Sequence, residues 1–150
     1  MRAVIQRVSE ASVVVEDKKV ANIQQGILVL LGIEIEDAKE DALWLANKIS
    51  ALRIFSDSEG KMNNSILDVD GDVIVVSQFT LHAKTKKGNR PSYIKSARSE
   101  RAIILYDQFK KELSEVIGKQ VQSGEFGAGM QVSLVNDGPV TIIIDSKNKE

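Results

Sequence analysis

Two short uninterrupted apolar runs constrain this chain more than any other feature. Ile27-Leu28-Val29-Leu30-Leu31, continuing past Gly32 to Ile33, and Val73-Ile74-Val75-Val76 have the length of β-strands and no polar alternation. Strands of that kind are expected to be buried on both faces. The longer pure run, Ile27 to Leu31, is far short of the about 20 residues needed to cross a bilayer.

Helical cover is legible at two places. Ala38, Ala42, Leu45, Ile49 and Leu52 recur by fours and threes, which predicts one face of a helix, with Asp37 as N-cap and Glu40 completing a capping box. Ala102, Leu105, Tyr106, Phe109, Leu113 and Val116 predict a second helix, started by Ser99 and stopped by Gly118. Further strands are expected over Met1 to Val8, Ala11 to Val15 and Val20 to Ile23, the last after a charged turn at Asp17-Lys18-Lys19. Arg53 to Phe55 reads as extended, and Asp57 to Asn64 as a polar turn around Gly60. Gln131 to Val135 and Val140 to Ile144 read as two strands joined by Asn136-Asp137-Gly138-Pro139, and the polar tail from Ser146 is expected to fray. These elements predict a single mixed α/β domain, a sheet system covered by helices on one side.

Composition excludes several chemistries. The 150 residues contain no cysteine and one histidine, His82, so disulfides, thiolate zinc sites, thiol nucleophiles and a multi-histidine metal site within one chain are ruled out. Arg2, Gln6, Arg7 and Glu10 interrupt any apolar start, which argues against a signal peptide and for a cytoplasmic protein. A formal net charge of −1 argues against a protein that coats nucleic acid non-specifically. The charge is uneven, however: Lys84, Lys86, Lys87, Arg90, Lys95, Arg98 and Arg101 are opposed over their stretch only by Glu100. A local basic surface of this kind can steer one anionic ligand, although lysines also serve simply to keep sheet edges apart.

Three places could carry chemistry. The run Ser77-Gln78-Phe79-Thr80 brings hydroxyls, an amide and an aromatic ring to the end of a buried strand, where α/β proteins place ligands. Polar residues there also satisfy an ordinary turn. Asn136-Asp137-Gly138-Pro139-Val140-Thr141 is explained locally as a hairpin turn, or else as a rigid cis Gly-Pro unit that aims two carbonyls in a fixed direction. Spacing does not choose between these. His82 would share a face with Thr80 in an extended strand, which makes a Thr–His pair conceivable, but no third orienting residue accompanies it. Met130 and Phe126 read as core packing. No phosphate-binding loop, dinucleotide fingerprint, HExxH or GxSxG pattern occurs.

Taken together, Ser77-Gln78-Phe79-Thr80 and Asn136-Asp137-Gly138-Pro139-Val140-Thr141 resemble the paired signature motifs of the D-aminoacyl-tRNA deacylases. Arg2 to Val8, Leu52 to Phe55, Gly60 to Asn63 and Lys87-Gly88-Asn89-Arg90-Pro91-Ser92 are similar to that family in the same order. The resemblance spans residues 1–145 as one domain and leaves 146–150 as a polar tail. Lys84 and Gly129 stand where the family usually has aspartate.

The resemblance implies a compact three-layer β/β/α domain with barrel-like sheets and two main helices, and a homodimer with active sites at the subunit interface. It implies hydrolysis of the ester of a D-aminoacyl-tRNA, or of glycyl-tRNA, with no cofactor, no metal, no membrane and no DNA partner. Ser77, Gln78, Phe79 and Thr80 would form the catalytic rim, with backbone N–H groups near Phe79 and Thr80 stabilising the oxyanion. Gly138 and Pro139, joined by a cis bond and steadied by Arg7, would reject L-amino acids, with Met130 nearby. Lys84, Lys86, Lys87 and Arg90 would contact tRNA phosphates.

Overall fold

A computed structural model describes residues 1–150. The first strand, β1 (Arg2–Val15), is the spine. Its second half pairs antiparallel with β2 (Lys18–Ile23), and its first half pairs antiparallel with β3 (Gly26–Gly32) on the same side. The expected break between Val8 and Ala11 is thus absent, and one 14-residue strand serves two neighbours. The turn between β1 and β2 falls at Glu16 and Asp17, both with positive φ (46° and 63°), the conformation a tight hairpin demands.

Strand β3 runs parallel to β6 (Asp72–Ser77), which pairs parallel with the short β7 (Gln122–Ser123). Gln122 then exchanges two hydrogen bonds with the backbone of Asn22 in β2, at 2.7 and 2.9 Å, so the sheet curls round into a nearly closed barrel. A small hairpin, β4 (Phe55–Ser56) and β5 (Met62–Asn64), sits apart, its turn built on Asp57 and on Gly60 at φ +78°.

The two apolar runs meet the expectation of burial on both faces by alternating between two cores. Ile27, Val29, Leu31, Val73 and Val75 face α1 (Lys39–Ser50) and α2 (Ser99–Ile117) in one cluster of 22 buried residues. Leu28, Ile74 and Val76 point the other way, into a barrel interior shared with Val8, Val13 and Ile23. Helices, shared sheet and far barrel wall make three layers, as expected. The predicted helix faces agree closely: Ala42, Leu45 and Ile49 of α1 and Ala102, Leu105, Tyr106, Phe109 and Leu113 of α2 are buried. Each buried leucine, isoleucine or phenylalanine among them contributes about 1.5–3 kcal/mol of transfer free energy. Gly118 stops α2 in the left-handed region, φ +71°.

Three details differ from expectation. The N-cap of α1 is Ala38, whose N–H donates to the Asp41 carboxylate at 2.9 Å. Asp37 is instead fully buried, accepting hydrogen bonds from the Met1 amino group and from the Glu34 N–H at 2.8 Å. Likewise Ser99 is the first residue of α2 and Arg98 its cap. The tail does not fray at Ser146, which is buried and donates its N–H to the Met1 carbonyl at 2.8 Å. Lys147 reaches Asp41 at 2.8 Å, and Lys149 lies 4.4 Å over the Trp44 ring.

The largest difference concerns the last strand. Residues 131–145 form one strand, β8 (Gln131–Asp145), antiparallel to β1 along its whole length. Asn136 pairs with Val8 and Thr141 with Gln6, so Asp137, Gly138, Pro139 and Val140 bulge out opposite Arg7 alone. The Asn-Asp-Gly-Pro segment is therefore no hairpin turn. The other edge of β8 has no partner strand within the chain.

Candidate active site

Strands β3 and β6 are parallel and end side by side, at Gly32 and Ser77. Past that end lies a cavity of about 560 Å³. Leu31, Ile33, Val76, Ser77, Gln78 and Phe79 line it from the strand ends, and Ala97, Arg98, Ser99 and Ala102 from the start of α2. Phe126, Gly127, Ala128 and Met130 close it from the segment just before β8, and Val132 from the start of that strand. The volume suits a single small ligand, within the ~300–1,000 Å³ of typical pockets.

After Ser77 the chain leaves the sheet and winds into a short 3-10 turn, Phe79–His82, rather than continuing extended. Gly32 permits this. A methyl group there would meet the Gln78 carbonyl and Leu81 Cβ at 3.0 Å and His82 at 3.1 Å. The first N–H groups of a helical turn have no carbonyl behind them. Here those groups belong to Phe79 and Thr80, and neither donates to a backbone acceptor. The Gln78 side-chain amide donates to the Thr80 hydroxyl, fixing both. Phe79 itself is 56% exposed at the rim.

Because the segment is a turn, the extended-strand argument for a Thr80–His82 pair lapses. His82 points inward, is 3% exposed and does not line the cavity, and its Nε2 has no hydrogen-bond partner. It fills space beneath the turn against Gly32.

Met130 and Phe126 belong to the cavity wall as well as to the packing behind it. Phe126 leans on Tyr106, ring centroids 5.5 Å apart, and the Tyr106 hydroxyl donates to the Val75 carbonyl at 2.9 Å. Burial pushes the Tyr106 phenol up to about 12. Helix α2 is thereby bolted to β6 just behind the cavity.

Gly138 and Pro139 do not line this cavity. They stand on the exposed bulge of β8, joined by a cis peptide bond. Arg7 straps the bulge down: its Nε donates to the Asp137 carbonyl at 2.8 Å and its Nη1 to the Ile54 carbonyl at 2.6 Å. The Asp137 carboxylate adds a looser ion pair at 3.7 Å. Lys84, Lys86, Lys87 and Arg90 lie on an exposed loop outside the cavity, closed at its base by the Lys84–Ser92 backbone pair. Arg98 and Ser99 are cavity residues that sequence reasoning did not single out as such; only their place between the basic stretch and the second helix could have flagged them.

Fold and cavity define a class, a mixed α/β protein with a cavity at the carboxyl end of parallel strands, where such folds place ligands. Comparison with known proteins narrows it. Residues 4–145 match the family model described as D-Tyr-tRNA(Tyr) deacylase. Proteins called D-aminoacyl-tRNA deacylase from Flavobacterium johnsoniae and Akkermansia muciniphila are 61% and 60% identical over 150 residues, all of this chain and all of theirs. A solved structure titled c-Myc DNA Unwinding Element Binding Protein superposes with a TM-score of 0.92 at 40% identity, covering 97% of this chain and 98% of that one. A second, titled as a probable eukaryotic D-amino acid tRNA deacylase, shares the fold with a TM-score of 0.81 at 19% identity over 95% of this chain and 97% of its own. The chain belongs to the D-Tyr-tRNA(Tyr) deacylase family, and it is an enzyme, a hydrolase.

Proposed function

We propose that this chain cleaves the ester joining a D-amino acid, or glycine, to the terminal ribose of tRNA. The observation that carries this reading is the rim at Ser77–Thr80, where two backbone N–H groups free of backbone acceptors begin a turn beside a partly open cavity. An aminoacyl ester is already activated. Water adds to its carbonyl carbon, the N–H groups of Phe79 and Thr80 hold the oxyanion, and the ester C–O bond then breaks. The proton lost by the attacking water ends on the ribose 3′-oxygen, and the neighbouring 2′-hydroxyl assists from the substrate side. One oxyanion donor is worth about 2.7–4 kcal/mol of transition-state stabilisation, so no cysteine or histidine nucleophile is required.

Chirality is selected by exclusion, because both hands of an amino acid carry the same groups and attraction alone does not separate them. The wall is the Gly138–Pro139 bulge, held by Arg7 and lent by a second copy of the chain. Three features support the loan. The bulge lies outside its own chain's cavity. It stands on a strand whose outer edge is unpaired. That strand also exposes Val135 and Ile143, at 49% and 69%. Long unpaired edges with apolar side chains are seldom left open in solution. Lys84, Lys86, Lys87 and Arg90 supply phosphate contacts for the tRNA. A cytoplasmic location follows from that substrate, and no helix of the chain is long and apolar enough to cross a membrane.

The test is release of D-tyrosine from charged tRNA beside an L-tyrosine control, with light scattering for the dimer. Rapid release of the D form alone is expected. Equal rates for both hands, or salt-sensitive tRNA binding without turnover, would overturn the proposal.

A further inference from the structure

At the rim of the cavity the Phe79 ring meets Tyr93, and the hydrolysis proposed above uses neither ring. Tyr93 is 37% exposed and packs edge-on against Phe79, ring centroids 5.0 Å apart and planes at 73°. An edge-to-face pair leaves one ring with faces its partner does not cover. Exposed large apolar groups gathered at one place are the informative exception on a protein surface.

The segment bearing Tyr93 is held at both ends. Lys84 and Ser92 exchange backbone hydrogen bonds of 2.8 and 3.0 Å. Ser96 donates through its hydroxyl to the Phe79 carbonyl at 2.9 Å and through its N–H to the Tyr93 carbonyl at 3.0 Å. The Lys95 carbonyl accepts from Ile35, and Ala97 donates to Ile33, each at 3.0 Å. Tyr93 is thus pre-positioned relative to the catalytic turn. Cations flank it: Lys84 and Lys95 are exposed, Arg98 lines the cavity, and none of the three pairs with a carboxylate.

A fixed aromatic face among unpaired cations is the footprint of single-stranded nucleic acid, which stacks its bases and threads its phosphates past positive charge. The cavity, at about 560 Å³, holds one drug-sized ligand such as an aminoacylated nucleoside. The nucleotides before it must cross the rim. We infer that Tyr93, braced by Phe79, stacks a base of the single-stranded 3′ end upstream of the terminal adenosine. This makes Tyr93 a residue that tells aminoacyl-tRNA from smaller esters; the inference rests on the deacylase reading above.

The experiment compares two substrates, D-tyrosyl-tRNA and the D-tyrosyl ester of adenosine, across the native enzyme, Tyr93→Ala and Tyr93→Phe. Tyr93→Ala is expected to lower kcat/KM for the tRNA by about 5- to 150-fold, through KM with kcat held, and to leave the nucleoside ester within twofold. Tyr93→Phe is expected to restore the tRNA value. Equal losses on both substrates would overturn the inference by showing that Tyr93 merely supports the cavity, and so would no loss on tRNA. Conversion of Tyr93→Ala to a different oligomeric state would also overturn it, because the patch would then be a subunit contact. If the native enzyme hydrolyses neither ester, the deacylase reading itself fails. Binding of uncharged tRNA against adenosine, Tyr93 against Tyr93→Ala, then decides the stack alone: selective weakening for tRNA supports it and equal affinity refutes it.

Discussion

Replacing Gly138 by alanine probes the proposed wall where the structure leaves it least freedom. The added methyl would lie 2.9 Å from Val140 Cγ2, 3.0 Å from Arg7 Nη2 and 3.1 Å from the Val140 nitrogen. Gly138 also sits at φ +141°, a region that L side chains rarely enter. Holding alanine in such a backbone costs about 1–3 kcal/mol. Moving Arg7 aside sacrifices its charged hydrogen bond to the Asp137 carbonyl, worth about 1.5–3 kcal/mol. By either route the native bulge becomes about 5- to 150-fold less populated relative to relaxed alternatives. Since Asp137, Gly138 and Pro139 are exposed, and only Val140 of the bulge packs against the larger core, most of this cost is released locally. For a chain of this size, even full transmission of 3 kcal/mol lowers Tm by at most about 12 °C. The assay is hydrolysis of D- and L-tyrosyl-tRNA by Gly138→Ala beside a thermal melt. The expected result is a cooperative melt, slower hydrolysis of the D substrate and a smaller D/L ratio. An unchanged D/L ratio at full D activity would refute the reasoning and place the wall elsewhere.

Two further outcomes follow from other parts of the molecule. Tyr106→Phe removes one of two hydrogen bonds to the Val75 carbonyl, the other coming from Gly124 at 3.2 Å, so a loss of about 1 kcal/mol is expected. Because burial raises the Tyr106 phenol from 10.0 to about 12, its contribution is complete below pH 10 and is lost as pH rises toward 12. Urea melts of the native protein should therefore weaken across that window more steeply than those of Tyr106→Phe, and parallel curves would contradict this. Neutralising Lys84, Lys86, Lys87 and Arg90 together should weaken tRNA binding and flatten its salt dependence by about 0.7–0.9 logarithmic units for each phosphate that the loop no longer neutralises. An unaltered salt slope would remove that loop from the tRNA path.

How much of this was legible in the chain depends on the range of the interaction concerned. The faces of α1 and α2 follow from the 3.6-residue period of their own apolar residues, and burial of β3 and β6 from their lack of alternation; both patterns are written within a dozen residues. Helix starts slipped by one residue because Asp37 and Ser99 are good caps locally. In the fold, Asp37 is taken by the Met1 amino group, 36 positions away, which no local preference records. The Ser77–Thr80 rim was legible as a motif, but its winding into a turn was not, since that depends on Gly32 in another strand leaving room.

The last strand marks the division most clearly. Asn136-Asp137-Gly138-Pro139 has the same local turn chemistry whether its flanks pair with each other or with a third strand. Only the register of both flanks against β1, with Arg7 facing the four bulged residues, decides that the strand continues. The cavity likewise unites Leu31, Ser77, Arg98 and Met130, which nothing in their spacing links. By itself the sequence determined composition limits, helix faces, buried strands and the two signature motifs, because these depend on neighbours along the chain. Pairing partners, the bulge, the inward turn of His82 and the site itself were decided by tertiary structure, because each depends on which distant backbone groups compete for the same hydrogen bonds and the same space.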